Sequence, residues 1–167
     1  MNGAHSPEVT KRIQCRADRS ACIEHVIHEH NVALAIVVRL TFFTGFFGSD
    51  EVTYVLYALD VVKGVWTNSG YIGALRLGMN YPLAGAVSVF GNSELSLALW
   101  GLTASVAEIA VVFVFARRAF GRELALVAAF LLLLLPMHVN LAGRILADAP
   151  LALFITLTFA LLFEGER

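Results

Sequence analysis

Charge is scarce in this sequence: Asp, Glu, Lys and Arg make up 15% of the 167 residues, while 58% are hydrophobic and mean hydropathy is +0.74. That apolar share exceeds the roughly 45–50% usual for soluble domains, so a soluble fold would have nowhere to put the surface. Neither sign of charge dominates: the formal net charge is -1 and the pI is near 6.5, so nothing points to a nucleic-acid partner or to an acidic solvating tail. Cysteine is limited to Cys15 and Cys22 in the polar N-terminal stretch, where both read as free thiols. There is no Gly-rich phosphate loop and no Ser-His-Asp motif, which leaves soluble nucleotide chemistry unsupported. No internal repeat of roughly 20–50 residues is present, and the LLLLL tract is the single low-complexity segment.

What is present is a set of long apolar runs. The polar segment 1–30 carries Lys11, Arg12, Arg16 and Arg19 and is too long and too polar for a cleaved leader, so the first apolar run reads as a retained signal anchor. That run covers 31–48 and is broken by one charge, Arg39; at about 1.5 Å per residue it reaches about one hydrocarbon thickness. A second run, 95–116, holds Glu108 as its one formal charge and stops at Arg117-Arg118. The third, 124–143, has no formal charge, and Pro136 and His138 near its end predict a kink or an early exit from lipid. The fourth, 145–163, has Asp148 at its start and Pro150 in its first helical turn. The expected fold is all-α, with a membrane domain over 31–163 built on these four spans and a tail at 164–167.

Cytoplasmic loops should hold the Lys and Arg. The N-terminal stretch, the loop carrying Arg117, Arg118 and Arg122, and the tail with Arg167 all fall on one side if the chain crosses four times. Both termini are therefore expected in the cytoplasm, with the protein multi-pass in the plasma membrane. Residues 49–94 then form one long outer loop, and residues 139–148 a short outer turn. Within the loop, Val52, Val55, Leu56, Leu59 and Val62 recur at helical spacing and predict an interfacial helix over Glu51 to Lys63, with Trp66 and Tyr71 as interface aromatics. The short run after Pro82 predicts a segment that lies along the interface or dips in and returns.

The unusual polar residues cluster by this topology. Asp50 and Glu51 stand where the first span leaves the membrane, and Asp148 stands where the fourth enters it from the same side. Carboxylates partly withdrawn from water can act as general bases or hold a cation, although acids also simply mark the ends of membrane helices. A mid-bilayer charge costs about 2.5–3.5 kcal/mol on the insertion scale. Arg39 and Glu108 lie about 10–12 Å from the inner edge by helical rise, so they are expected to form a structural ion pair. The Cys22, His25, His28, Glu29 and His30 cluster lacks a complete four-ligand pattern and reads as a solvated juxtamembrane segment, so no metal site is assigned.

Five pieces, in order, carry a resemblance. They are Gly48-Ser49-Asp50-Glu51 with Tyr54 and Ala58; Asn80-Tyr81-Pro82-Leu83; Phe90-Gly91-Asn92-Ser93; Ala116 to Gly121; and Arg144 to Leu151. Together they resemble the N-terminal part of the GT-C polyprenyl-phosphate-sugar glycosyltransferases, the group that includes protein O-mannosyltransferases and aminoarabinose transferases. The resemblance implies a polyprenyl-phosphate sugar as donor and an acidic pair, here Asp50 and Glu51, whose aspartate takes the proton from the attacking group. It also implies a second acid before a proline, here Asp148. A transfer of this kind needs positive charge at the leaving phosphate, and Arg144, Arg76 and Lys63 are the cations on the expected side. Arg144 leads because it would lie one helical turn before Asp148; attraction to lipid headgroups also accounts for Lys63 and Arg76. A divalent cation is left open as a cofactor. Family enzymes are longer, so a C-terminal half or a partner subunit is expected beside membrane lipids as partners. Two other classes fit the same residues: a noncatalytic four-helix membrane protein that binds lipids or partners, and a transporter subunit with Arg39 and Glu108 lining a polar path.

Overall fold

A computed structural model of the chain describes residues 32–45, 48, 50–65 and 72–166. The segment 1–30 with Cys15, Cys22 and its histidines, and the loop aromatics Trp66 and Tyr71, lie outside the described residues. Among the described residues every regular element is helical. They run α1 (Val32–Thr41), α2 (Asp50–Val62), a 3-10 turn (Ile72–Leu75), α3 (Leu77–Phe90), α4 (Glu94–Phe120), α5 (Arg122–Leu134), α6 (Pro136–Ala142) and α7 (Asp148–Gly165).

The 27-residue helix α4 is the spine, packed against α3, α5, α6 and α7. Its ends are set locally. The Ser93 hydroxyl accepts from the Ser96 N–H at 3.2 Å, Glu94 sits in the first turn, and Arg117 and Arg118 sit in the last, each charge suited to its end of the helix dipole. Gly121, at φ 92°, takes a left-handed conformation and turns the chain directly into α5.

Among the described residues two helices, α4 and α7, are long and apolar enough to cross a membrane. The expected third span is split into two helices, α5 and α6, which meet at 61°, the form of a broken crossing or of a re-entrant segment. The residue before a proline is driven out of the helical region, and Leu135 duly has ψ 115°, so the helix ends and Pro136 starts the next one. The expected first span contributes the 10-residue apolar helix α1. Length and composition thus support two or three of the four expected crossings. The outer face of α7 is bare apolar surface, with Leu151, Ile155, Phe159 and Leu162 exposed, as a lipid-facing helix requires.

Two apolar clusters flank a polar layer. One joins Tyr54, Ala58, Met79, Leu83, Val87, Leu97 and Ile145 across α2, α3, α4 and the turn before α7. The other joins Ala35, Ile109, Phe113, Ala125, Ala129 and Leu133 across α1, α4 and α5. The turn from Ala142 to Arg144 lies directly on α4, where a Cβ at Gly101 would meet the carbonyl oxygens of Ala142 and Arg144 at 3.0 and 3.1 Å. Only glycine leaves room for that approach.

The outer-loop helix forms as expected, at Asp50–Val62 rather than 51–63. The segment after Pro82 is not a separate short run, because Pro82 lies inside the 14-residue α3. Proline has no N–H to give the carbonyl of Gly78 four residues back. The Trp100 indole N–H on α4 donates to that carbonyl instead, at 3.0 Å, and this allows a proline inside a helix.

Candidate active site

The acids Asp50 and Glu51 open α2 and occupy different surroundings. Glu51 is fully buried. Its Oε1 accepts from the Arg144 Nε and from the Ile145 backbone N–H, both at 3.1 Å, and its Oε2 accepts from the Gly48 N–H at 3.1 Å. The carboxylate therefore pins the turn before α7 onto the start of α2. Asp50, one residue earlier, is exposed. Residues 143–147 are not helical, so the one-turn spacing of Arg144 and Asp148 does not arise; Arg144 is committed to Glu51 at 3.1 Å.

One helical turn beyond Asp50, Tyr54 is buried at 1% exposure. Its hydroxyl accepts a hydrogen bond from the Arg76 guanidinium, which also lies 5.8 Å from the centre of the Tyr54 ring. Burial pushes the Tyr54 hydroxyl above its ordinary pKa; the charge and hydrogen bond of Arg76 oppose that, while the Asp50 and Asp148 carboxylates add to it. Tyr54 thus joins α2 to Arg76 one turn beyond Asp50. Beside it a cleft of about 300 Å³ opens between Arg76, Met79, Asp148, Leu151 and Phe154. Trp100 backs this region, its ring centroid 6.5 Å from that of Phe154.

The structure therefore gathers Asp50, Arg76 and Asp148 at one end of the bundle and seats Glu51 and Arg144 beneath them as a buried latch. Lys63 is not brought there: it follows the far end of α2, about 20 Å from Asp50 by helical rise. Among the described residues no group of three His, Cys, Asp or Glu side chains is placed to hold a metal. Chemically, the end of the bundle offers an exposed carboxylate able to take a proton, a guanidinium able to face an anion, and an apolar wall. The sequence motif contains Tyr54 without disclosing a role for it; its helical offset of four from Asp50 is the signal that could have done so.

The expected Arg39–Glu108 pair takes a different form. Arg39 is 2% exposed and donates from Nε to the Ser105 hydroxyl at 2.9 Å, and from its terminal nitrogens to the Leu133 carbonyl at 2.8 Å and to His138 Nδ1 at 2.6 Å. His138 Nε2 lies 2.8 Å from Glu108 Oε2, and the Thr156 hydroxyl donates to Glu108 Oε1 at 3.4 Å. The two charges are joined through an imidazole rather than in direct contact. In the sequence His138 reads only as an exit signal; its place in an apolar run beside a proline is the clue to more.

Apolar helices of spanning length, a bent apolar helix pair and polar groups gathered at one end define a helical membrane protein with a candidate site at the bundle end. The chain belongs to the dolichyl-phosphate-mannose-protein mannosyltransferase family, a GT-C family, whose model matches residues 77–166, more than half its length. The matched stretch runs from the start of α3 to the end of α7, so it begins one residue after Arg76 and holds Arg144 and Asp148, whereas Asp50 and Glu51 precede it. No curated protein and no solved structure matches the chain.

Proposed function

We propose that the protein transfers a sugar from a polyprenyl-phosphate donor to a lipid, glycan or protein acceptor at the outer face of the membrane. Asp50 is the general base. It removes the proton as the acceptor oxygen or nitrogen attacks the sugar's anomeric carbon, and the bond to the lipid phosphate breaks with its electrons going to phosphate. Arg76 offsets the charge that develops there. Asp148, in the wall of the cleft, orients the acceptor or a cation. Glu51 and Arg144 act beneath the site by holding its two halves together. The membrane domain has four crossings and both termini cytoplasmic, which puts α2, α3 and the start of α7 on the outer side. Family membership supports the reaction class, and the observation that supports the site is the Arg76–Tyr54 hydrogen bond one helical turn from Asp50, beside a cleft that Arg76 and Asp148 share.

The test is transfer from a labelled polyprenyl-phosphate donor in membranes holding the chain, alone and with the reading frame that follows it. Asp50→Asn should abolish transfer at equal expression, and Lys63→Ala should leave it within about twofold, since Lys63 lies far from the cleft. Transfer that survives Asp50→Asn removes the proposed base; no transfer in any wild-type sample with verified substrates favours a noncatalytic lipid- or partner-binding protein.

A further inference from the structure

The polar layer inside the bundle fixes the protonation pattern of one residue. Arginine has no hydrogen-bond acceptor, so the 2.6 Å contact from Arg39 requires His138 Nδ1 to carry a free lone pair. The Ser105 hydroxyl lies 3.4 Å from the same nitrogen and suits the same arrangement. The ring proton then sits on Nε2 and is donated to Glu108 at 2.8 Å. The imidazole is neutral, and the positive and negative charges on its two sides balance across it. A proton on Nδ1 would set donor against donor within a buried layer.

The same layer spans the break between α5 and α6. The bend at Pro136 takes Leu133 away from its helical donor, and Arg39 takes up that carbonyl on the α5 side while holding His138 on the α6 side. From His138, α6 runs on to Ala142, whose carbonyl rests on Gly101, and then to Arg144 and Ile145, which grip Glu51 next to Asp50. A continuous path of close contacts thus links the layer to the base.

We propose that His138, as its Nε2–H tautomer between Arg39 and Glu108, is a positioning residue. It holds α6 at the angle that lets Arg144 and Ile145 pin Glu51, and so sets the adjacent Asp50 at the start of α2. The proposal rests on the glycosyltransferase reading for its kinetic consequence but not for its structural one.

Three measurements test it. In 15N-histidine-labelled protein in phosphatidylcholine nanodiscs, the ring signal lost on His138→Gln should report a protonated Nε2 and an unprotonated Nδ1. In a background with Cys15→Ser and Cys22→Ser, the thiol of Ile145→Cys should resist maleimide with His138 present and react when His138→Leu is added. The thiol of Ala125→Cys, buried at the other end of the bundle, should stay protected in both and so report that the bundle is folded. In the transfer assay His138→Leu should lower kcat by about 100-fold at nearly unchanged donor KM, the scale expected of a misplacement near 1 Å, and His138→Gln, which keeps a donor for Glu108, should recover most of it. A proton on Nδ1, or a thiol at position 145 that stays protected after His138→Leu, overturns the proposal. So does a loss confined to KM. Wild-type protein without transfer would sink the glycosyltransferase reading, and the tautomer and labelling results would still decide the structural coupling.

Discussion

Adjacent carboxylates with opposite roles give the sharpest expectation. Glu51 is 0% exposed and accepts from Arg144, Ile145 and Gly48, while Asp50 stands in the open. Glu51→Ala removes one partner of a buried ion pair, which costs about 3–5 kcal/mol where both charges are enclosed. The Arg144 side chain keeps 28% exposure and can regain some hydration, so the lower end of that range, about 3 kcal/mol, is expected. Glu51→Gln keeps one acceptor oxygen but turns an amide N–H₂ toward a donor, and should cost about 1.5–2 kcal/mol, the scale of one lost charge-assisted hydrogen bond. Asp50→Asn should stay within about 0.5 kcal/mol of wild type, as surface changes do, while eliminating transfer. Denaturant unfolding in mixed micelles, followed by tryptophan fluorescence, gives the ladder directly. Glu51 is no latch if Glu51→Ala lies within about 1 kcal/mol of wild type, or if Asp50→Asn is as destabilising as Glu51→Ala.

Two other substitutions probe the groups behind the cleft. Trp100→Phe keeps the aromatic packing but withdraws the donor to the Gly78 carbonyl, so it should lower unfolding stability by about 1–2 kcal/mol, and adding Pro82→Ala, which restores a helical N–H, should recover most of that loss. For Tyr54, burial raises the folded pKa above the ordinary value near 10, so its contribution to stability is present below about pH 10 and lost as pH rises through the folded value. Unfolding free energy should therefore fall on the alkaline side in wild type, and Tyr54→Phe should remove that fall; an unchanged alkaline slope in Tyr54→Phe would place the titrating group elsewhere.

Much of this arrangement is legible in residue order. Hydropathy locates α4 and α7, the period of Val52, Val55, Leu56 and Leu59 locates α2, and Pro136 announces the break in the third run. Depth counting brings Arg39 and Glu108 to one level because helical rise is fixed, and the structure does place them in one layer. What distance along the chain cannot supply is partner choice. Arg144 and Asp148 are four apart, which means one turn only if the segment is helical, and the turn after Gly143 removes that condition. Arg144 instead meets Glu51, 93 residues earlier, through a contact made by packing rather than by local geometry. The role of His138 is hidden for the same reason, since its partners come from α1 and α4.

The two prolines inside apolar segments explain why the polar side chains sit where they do. A carbonyl that has lost its helical donor needs another partner, and one withdrawn from water costs free energy without it. Pro82 leaves Gly78 to the Trp100 indole, and the bend at Pro136 leaves Leu133 to the Arg39 guanidinium. Each donor comes from a different helix and so ties two elements together at the place where one of them is interrupted. The Trp100 tie fixes the start of α3 beside Arg76; the Arg39 tie fixes the break that aims α6 at the Glu51 latch. A buried arginine in an apolar helix, costly on its own, is therefore retained by a backbone carbonyl, a serine and a histidine that accept its hydrogen bonds, and the same contacts carry its position outward to the acids at the end of the bundle.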